Sequence, residues 1–83
     1  MSESYNGWKN RSTWNVSLWI NNDEALYRNA CDFMWNFYKV EHPYSSYIRW
    51  CGLENEKTPD GIRYISNRLD YRELDNMMFE LVD

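Results

Sequence analysis

Leu26, Ala30, Phe33 and Phe37 recur at alternating four- and three-residue steps, the spacing that stacks side chains along one face of an α-helix. Tyr27, Cys31, Met34, Trp35 and Tyr38 widen that stripe into a broad apolar arc. An arc of this breadth predicts a central helix that its neighbours cover on more than one side. Asn21-Asn22-Asp23 precedes it: short polar side chains that bond their own backbone and restart a helix. Asn21 or Asn22 is the expected cap, with Asp23 and Glu24 in the first turn, where the helix dipole favours negative charge. His42-Pro43 ends the helix, because the residue before proline is driven out of helical backbone angles.

The flanking segments read as further helices. Residues 1–4 are expected to fray, and Asn6-Gly7 is a turn signal between Tyr5 and Trp8. Thr13, or Ser12 one residue earlier, is the expected cap of a first helix reaching about Ile20. A third helix is predicted over 44–51, capped by Ser45 or Ser46 and closed by Gly52 in left-handed conformation. Thr58-Pro59-Asp60 reads as cap, first-position proline and dipole-facing acid, predicting a helix through residue 69 with Ile62, Ile65 and Leu69 inward. Asp70 with Glu73 matches a capping box that opens a last helix carrying Leu74, Met77 or Met78, and Leu81. The expectation is an all-α, compact single domain over residues 1–83, of four to five short helices packed orthogonally.

Composition bounds the function. Thirteen acids against nine bases leave a net charge of −4, and the last fourteen residues hold five acids and only Arg72. That balance argues against a phosphate backbone as partner, since such affinity comes from neutralised phosphates. It favours a protein partner. No apolar run approaches the length that spans a bilayer, and the first fifteen residues lack the apolar core of a signal peptide. A cytoplasmic setting follows, with Cys31 and Cys51 as reduced core thiols.

Catalytic, cofactor and metal sites are not expected. His42 is the one histidine, and sequence spacing supplies it with neither a nucleophile nor an orienting group. Cys31 falls inside a helix and Cys51 at a helix end, and two distant cysteines with one histidine form no zinc cluster. The three glycines make no phosphate-cradling loop.

The aromatic surplus is the positive signal. Five tryptophans and seven tyrosines exceed what one small core readily encloses. Trp8, Trp35, Tyr44, Tyr47 and Trp50, with Asp75 and Glu80 on the acidic last helix, are the candidate protein-interface residues, tryptophan and tyrosine being enriched at binding hot spots. A homodimer is one form such an interface takes. The alternative is a nucleic-acid surface of Lys9, Arg11, Arg63 and Arg68 beside Trp8.

Residues 6–20 carry three of the tryptophans and read Asn-Gly-Trp-Lys-Asn-Arg-Ser-Thr-Trp-Asn-Val-Ser-Leu-Trp-Ile. This stretch resembles the opening motif of a family of small proteins encoded by phages and other mobile elements, Gly-Trp-x-Asn-x-x-Thr-Trp-Asn-Val-x-Leu-Trp. The match falls on Gly7, Trp8, Asn10, Thr13, Trp14, Asn15, Val16, Leu18 and Trp19. The resemblance covers about 22 residues and nothing comparable in 44–83. It implies a host-takeover, anti-defence or accessory role exercised by binding a host or phage protein in the host cytoplasm, and it supplies no site residues. Within the motif Trp14 and Trp19 are expected to be scaffold, Asn10 and Asn15 to tie the lead-in to the first helix, and Trp8 to be the residue for contact.

Overall fold

The computed structural model describes residues 5–82, so the expectation for residues 1–4 lies outside the described residues. Four helices follow one another: α1 (Arg11–Asn22), α2 (Glu24–Asn36), α3 (Pro43–Cys51) and α4 (Tyr71–Glu80). They pack orthogonally into a compact all-α domain, α1 against α2 and α4, α3 against α2 and α4. The Cα radius of gyration is 12.0 Å, close to the ~12 Å of a compact chain of this length.

Each helix contributes a short buried face. Val16 and Ile20 come from α1, Ala30, Phe33 and Met34 from α2, Tyr44, Tyr47 and Ile48 from α3, and Leu74, Met77 and Met78 from α4. Tyr64 and Leu69 join them from the segment before α4. Burying each of the larger side chains contributes roughly 1.5–3 kcal/mol, so Phe33 and Met34, with Ala30 between neighbours, are the main anchors of α2. α2 meets α1, α3 and α4, as expected of a central helix, but Tyr27, Trp35, Phe37 and Tyr38 are exposed, so the buried arc is narrower than the apolar spacing predicts.

Local chemistry accounts for most boundaries. Asn6 and Gly7 both have positive φ, 52° and 90°, as a tight two-residue turn between paired strands requires. Tyr5 and Trp8 exchange backbone hydrogen bonds across it, and Tyr5 lies 4.8 Å from the Trp14 ring. Gly52 ends α3 at φ 75°, as its sequence position predicts. Asp70 accepts from the Glu73 backbone N–H at 3.1 Å and opens α4. The reciprocal half of that capping box is diverted: Glu73 instead accepts from the Lys9 N–H at 2.8 Å.

Three expected caps belong to neighbouring residues. Asn10, not Thr13 or Ser12, caps α1 by accepting from the Thr13 N–H at 2.8 Å. Thr13 is buried, and its hydroxyl donates to Asn10 and accepts from the Asp70 N–H, joining α1 to the start of α4. Asp23, not Asn21 or Asn22, caps α2 through the Leu26 N–H at 3.0 Å. His42 precedes α3 without a side-chain cap bond, with Pro43 at its start, so Ser45 and Ser46 lie inside the helix.

The helix predicted from Thr58 does not form. The Gly61 N–H donates to the Thr58 carbonyl at 2.8 Å and the Thr58 N–H donates to the Ile62 carbonyl at 2.7 Å, closing a tight turn. Gly61 sits at φ 91°, outside helical angles. Pro-Asp-Gly is as good a turn signature as Thr-Pro-Asp is a helix start, and tertiary bonds decide between them. Thr58 donates its hydroxyl to Asn15 Oδ1 at 2.7 Å. Asp60 Oδ2 accepts from Asn15 Nδ2 at 2.7 Å and from the Trp19 indole at 2.8 Å. Asn10 adds a bond from its side-chain amide to the Arg68 carbonyl at 2.8 Å. The motif therefore ties α1 to the irregular 57–70 segment, where Asn15 was expected to tie the lead-in.

Asn15 is 1% exposed and its amide is bonded through both ends. Asn15→Ala removes the acceptor of the Thr58 hydroxyl proton and leaves a void, so a loss of about 1–3 kcal/mol is expected, measured by urea denaturation. A loss within error of zero would show that the bonds are dispensable.

Asp60 also makes stability depend on pH. The Asn15 bond, then the Trp19 bond, holds its carboxyl below the usual carboxylate range, with the Arg11 charge adding to them and slight burial opposing. A depressed acid stabilises the fold while ionised. Its contribution is complete well above the ordinary value of 3.8 and is lost as pH falls through the lower folded value. Asp60→Asn is expected to flatten this acid limb in a pH series of urea melts. An unchanged limb would assign the acid sensitivity to other carboxylates.

Candidate functional site

The main exposed feature arises where α2 stops short. Asn36 turns its side-chain amide back to the Asp32 carbonyl at 2.8 Å, and α2 ends there, six residues before His42. Phe37 closes the last turn through its N–H to the Phe33 carbonyl, and the Val40 N–H returns to the Phe37 carbonyl at 3.0 Å. Phe37 and Tyr38 are thus released from the apolar stripe that helical periodicity assigns them. They face α3 across a groove of about 650 Å³.

Phe33 is the floor of this groove. It is 4% exposed, and the rings of Phe37 and Trp50 lie 5.0 and 5.5 Å from it, both tilted. Tyr38 and Val40 complete the apolar walls, and Lys39, Arg49, Asn36 and Ser46 supply the polar ones. Tyr38 also borders a smaller dent formed with Met34, Trp35 and Val82. Trp35, Tyr38, Trp50 and Phe37 are 78%, 57%, 50% and 47% exposed. Four large rings at one end of an 83-residue chain are more than scattered surface residues.

The structure divides the expected interface residues. Trp35 and Trp50 are exposed in this region. Tyr44 and Tyr47 are fully buried and are corrected from surface to core: their hydroxyls donate to the Tyr64 and Leu26 carbonyls, which satisfies the phenols inside. Burial pushes both phenols upward from their ordinary value, so they remain neutral donors. Asp75 is turned inward to accept from the Tyr44 N–H at 2.9 Å at the start of α3. Trp8 is half-buried and meets exposed Glu80 in a separate polar cleft with Tyr27 and Glu73. The acidic cleft and the aromatic groove consequently form different surfaces. Phe37 and Tyr38 were missed as exposed because helical spacing counted them into the core stripe; the Asn36 stop is the signal that would have released them.

The basic candidates are also divided. Lys9, Arg11 and Arg68 line one open cleft with Asn67 and Asp70, while Arg63 is exposed outside it. Among the described residues no aromatic ring lines the cleft, and Arg11 is close enough to Asp60 to lower its pKa.

Catalytic composition comes nearest at α3. His42 Nδ1 lies 3.8 Å from Asp75 Oδ2, and Ser45 lines the same cleft of about 200 Å³. Folding thus supplies the orienting carboxylate that sequence spacing does not. The His42–Asp75 separation exceeds hydrogen-bond length, and among the described hydrogen bonds none joins Ser45 to His42. Cys31 and Cys51 are both unpaired and half-buried; burial raises the Cys51 thiol, partly opposed by a hydrogen bond with Tyr47. Among the described residues no three metal-ligating side chains converge, and no helix is long and apolar enough to cross a membrane.

No curated protein and no solved structure matches the chain. One family model does, over residues 1–83, and by that match the chain belongs to a family of unknown function, DUF7249.

Proposed function

We propose that this is a non-enzymatic accessory protein of phage or mobile-element origin. In this reading it works in the host cytoplasm, binding and modulating a host protein through the aromatic end of α2 and α3. The observation that carries the reading is the exposure of Phe37, Tyr38 and Trp50 around a concave apolar groove, with exposed Trp35 in the adjoining dent that shares Tyr38. Tryptophan and tyrosine in such a setting supply large contact area at little conformational cost. The motif resemblance supports the biological context, and the groove supports the mode of action.

A second reading rests on the cleft that gathers Lys9, Arg11 and Arg68. Three cations could track a phosphate backbone. Against it stand the net charge of −4, the absence of a stacking ring from the described cleft lining, and Asp60 close to Arg11. Self-association through the aromatic end is the third reading.

Affinity capture from an expressing host lysate, with and without nuclease, separates them. Wild type is expected to recover a stoichiometric protein whether or not nuclease is present. Trp35→Ala, at a site 78% exposed, is expected to shift stability by less than about 0.5 kcal/mol while weakening capture severalfold. Salt-sensitive DNA or RNA retained by Trp35→Ala, and released by Lys9→Glu with Arg68→Glu, would overturn the protein-binding reading in favour of the second.

A further inference from the structure

We infer that the occupant of the α2–α3 groove is an acidic, apolar peptide segment of a partner protein, held by side-chain insertion between Phe37, Tyr38 and Trp50 with its carboxylates on Lys39 and Arg49. This rests on the protein-docking reading above and names the partner's chemistry.

Charge selects the acidic partner. The chain as a whole carries −4, yet among the described residues the only charged ones lining the groove are Lys39 and Arg49. Neither is in a salt bridge among the described residues. The Lys39 ammonium lies 5.8 Å from the centroid of the Tyr38 ring, at the margin of the apolar wall. Arg49 reaches the neighbouring cleft as well, but the Asp75 carboxylate there accepts from the Tyr44 N–H. Two cations beside a desolvating aromatic surface favour carboxylates placed next to apolar anchors.

Shape selects an inserted segment. The buried Phe33 floor lies beneath two partly exposed rings, so side chains projecting from a partner find walls to fill against. Strand addition is not available here: the described residues pair as isolated bridges only, Tyr5 with Trp8 and Lys57 with Arg63, and none of the four lines the groove. A second copy of the chain is disfavoured by symmetry. A two-fold contact of this groove on itself would bring two sets of Lys39 and Arg49 together, and among the described residues no groove-lining acid would offset them.

The full chain displayed against a library of random short peptides tests this. Peptides that combine aromatic or aliphatic anchors with adjacent Asp or Glu are expected to be enriched, and Tyr38→Ala is expected to abolish their binding. Lys39→Glu with Arg49→Glu, both at exposed positions, is expected to weaken the selected peptides at least about tenfold and to select basic flanks instead. Its circular dichroism should match wild type, which keeps the test independent of any unfolding by Tyr38→Ala. Enrichment of apolar peptides without acids, or an unchanged selection by the charge-reversed variant, would overturn the acidic partner and leave docking at the groove standing. Selected peptides indifferent to both variants would overturn the docking reading as well. A concentration-dependent dimer in sedimentation, lost in Tyr38→Ala, would replace the peptide by a second copy.

Discussion

The hydrogen bonds of Asn15 hold the irregular 57–70 segment of this protein to its helical part. A buried amide must satisfy both its donor and its acceptor, and here the partners are Asp60 and Thr58, more than forty residues away. Trp19 adds its indole to the same Asp60 oxygen. Thr13 and Asn10 make a second tie to Asp70 and Arg68. Residues 57–70 have no regular secondary structure of their own, so their backbone path depends on these side chains. That path delivers Tyr64 and Leu69 to the core and sets the start of α4.

This arrangement gives the tryptophan-rich motif a structural meaning. Its dense aromatic and amide content looks like a binding platform, yet Asn10, Thr13, Asn15 and Trp19 spend their polar groups on internal partners. The free aromatic surface lies elsewhere, at the end of α2, where the interior is shallow and one buried phenylalanine supports two partly exposed rings. Structural and candidate binding aromatics are thereby separated: the motif holds the loop, and α2 and α3 present the groove.

Much of the fold was legible from short-range chemistry. The Asn6-Gly7 turn, the Gly52 helix end, the Asp70 cap and the inward positions Ala30, Phe33, Leu74, Met77 and Met78 follow from local backbone preferences and apolar spacing. The candidate site was legible in part: Trp35 and Trp50 stand out as surplus aromatics, whereas Tyr44 and Tyr47 look identical to them in sequence. Burial of a tyrosine depends on finding a carbonyl for its hydroxyl. Tyr64 and Leu26, twenty and twenty-one residues away, provide those carbonyls.

By itself, then, the sequence determined that the chain would be helical, roughly where each of the four helices would lie, and that it held more aromatic rings than its core could use. Tertiary structure decided three matters. It chose turn over helix at Thr58-Pro59-Asp60-Gly61, because Asn15 and Trp19 fix the Thr58 and Asp60 side chains on α1. It reassigned the caps of α1 and α2 to Asn10 and Asp23. It also released Phe37 and Tyr38 into solvent, because α2 stops at Asn36. Local propensities leave such near-equal alternatives open. The caps and the end of α2 are settled among bonds three or four residues long. At residues 58–61 a few long-range hydrogen bonds, each worth about 1 kcal/mol net, are enough to choose.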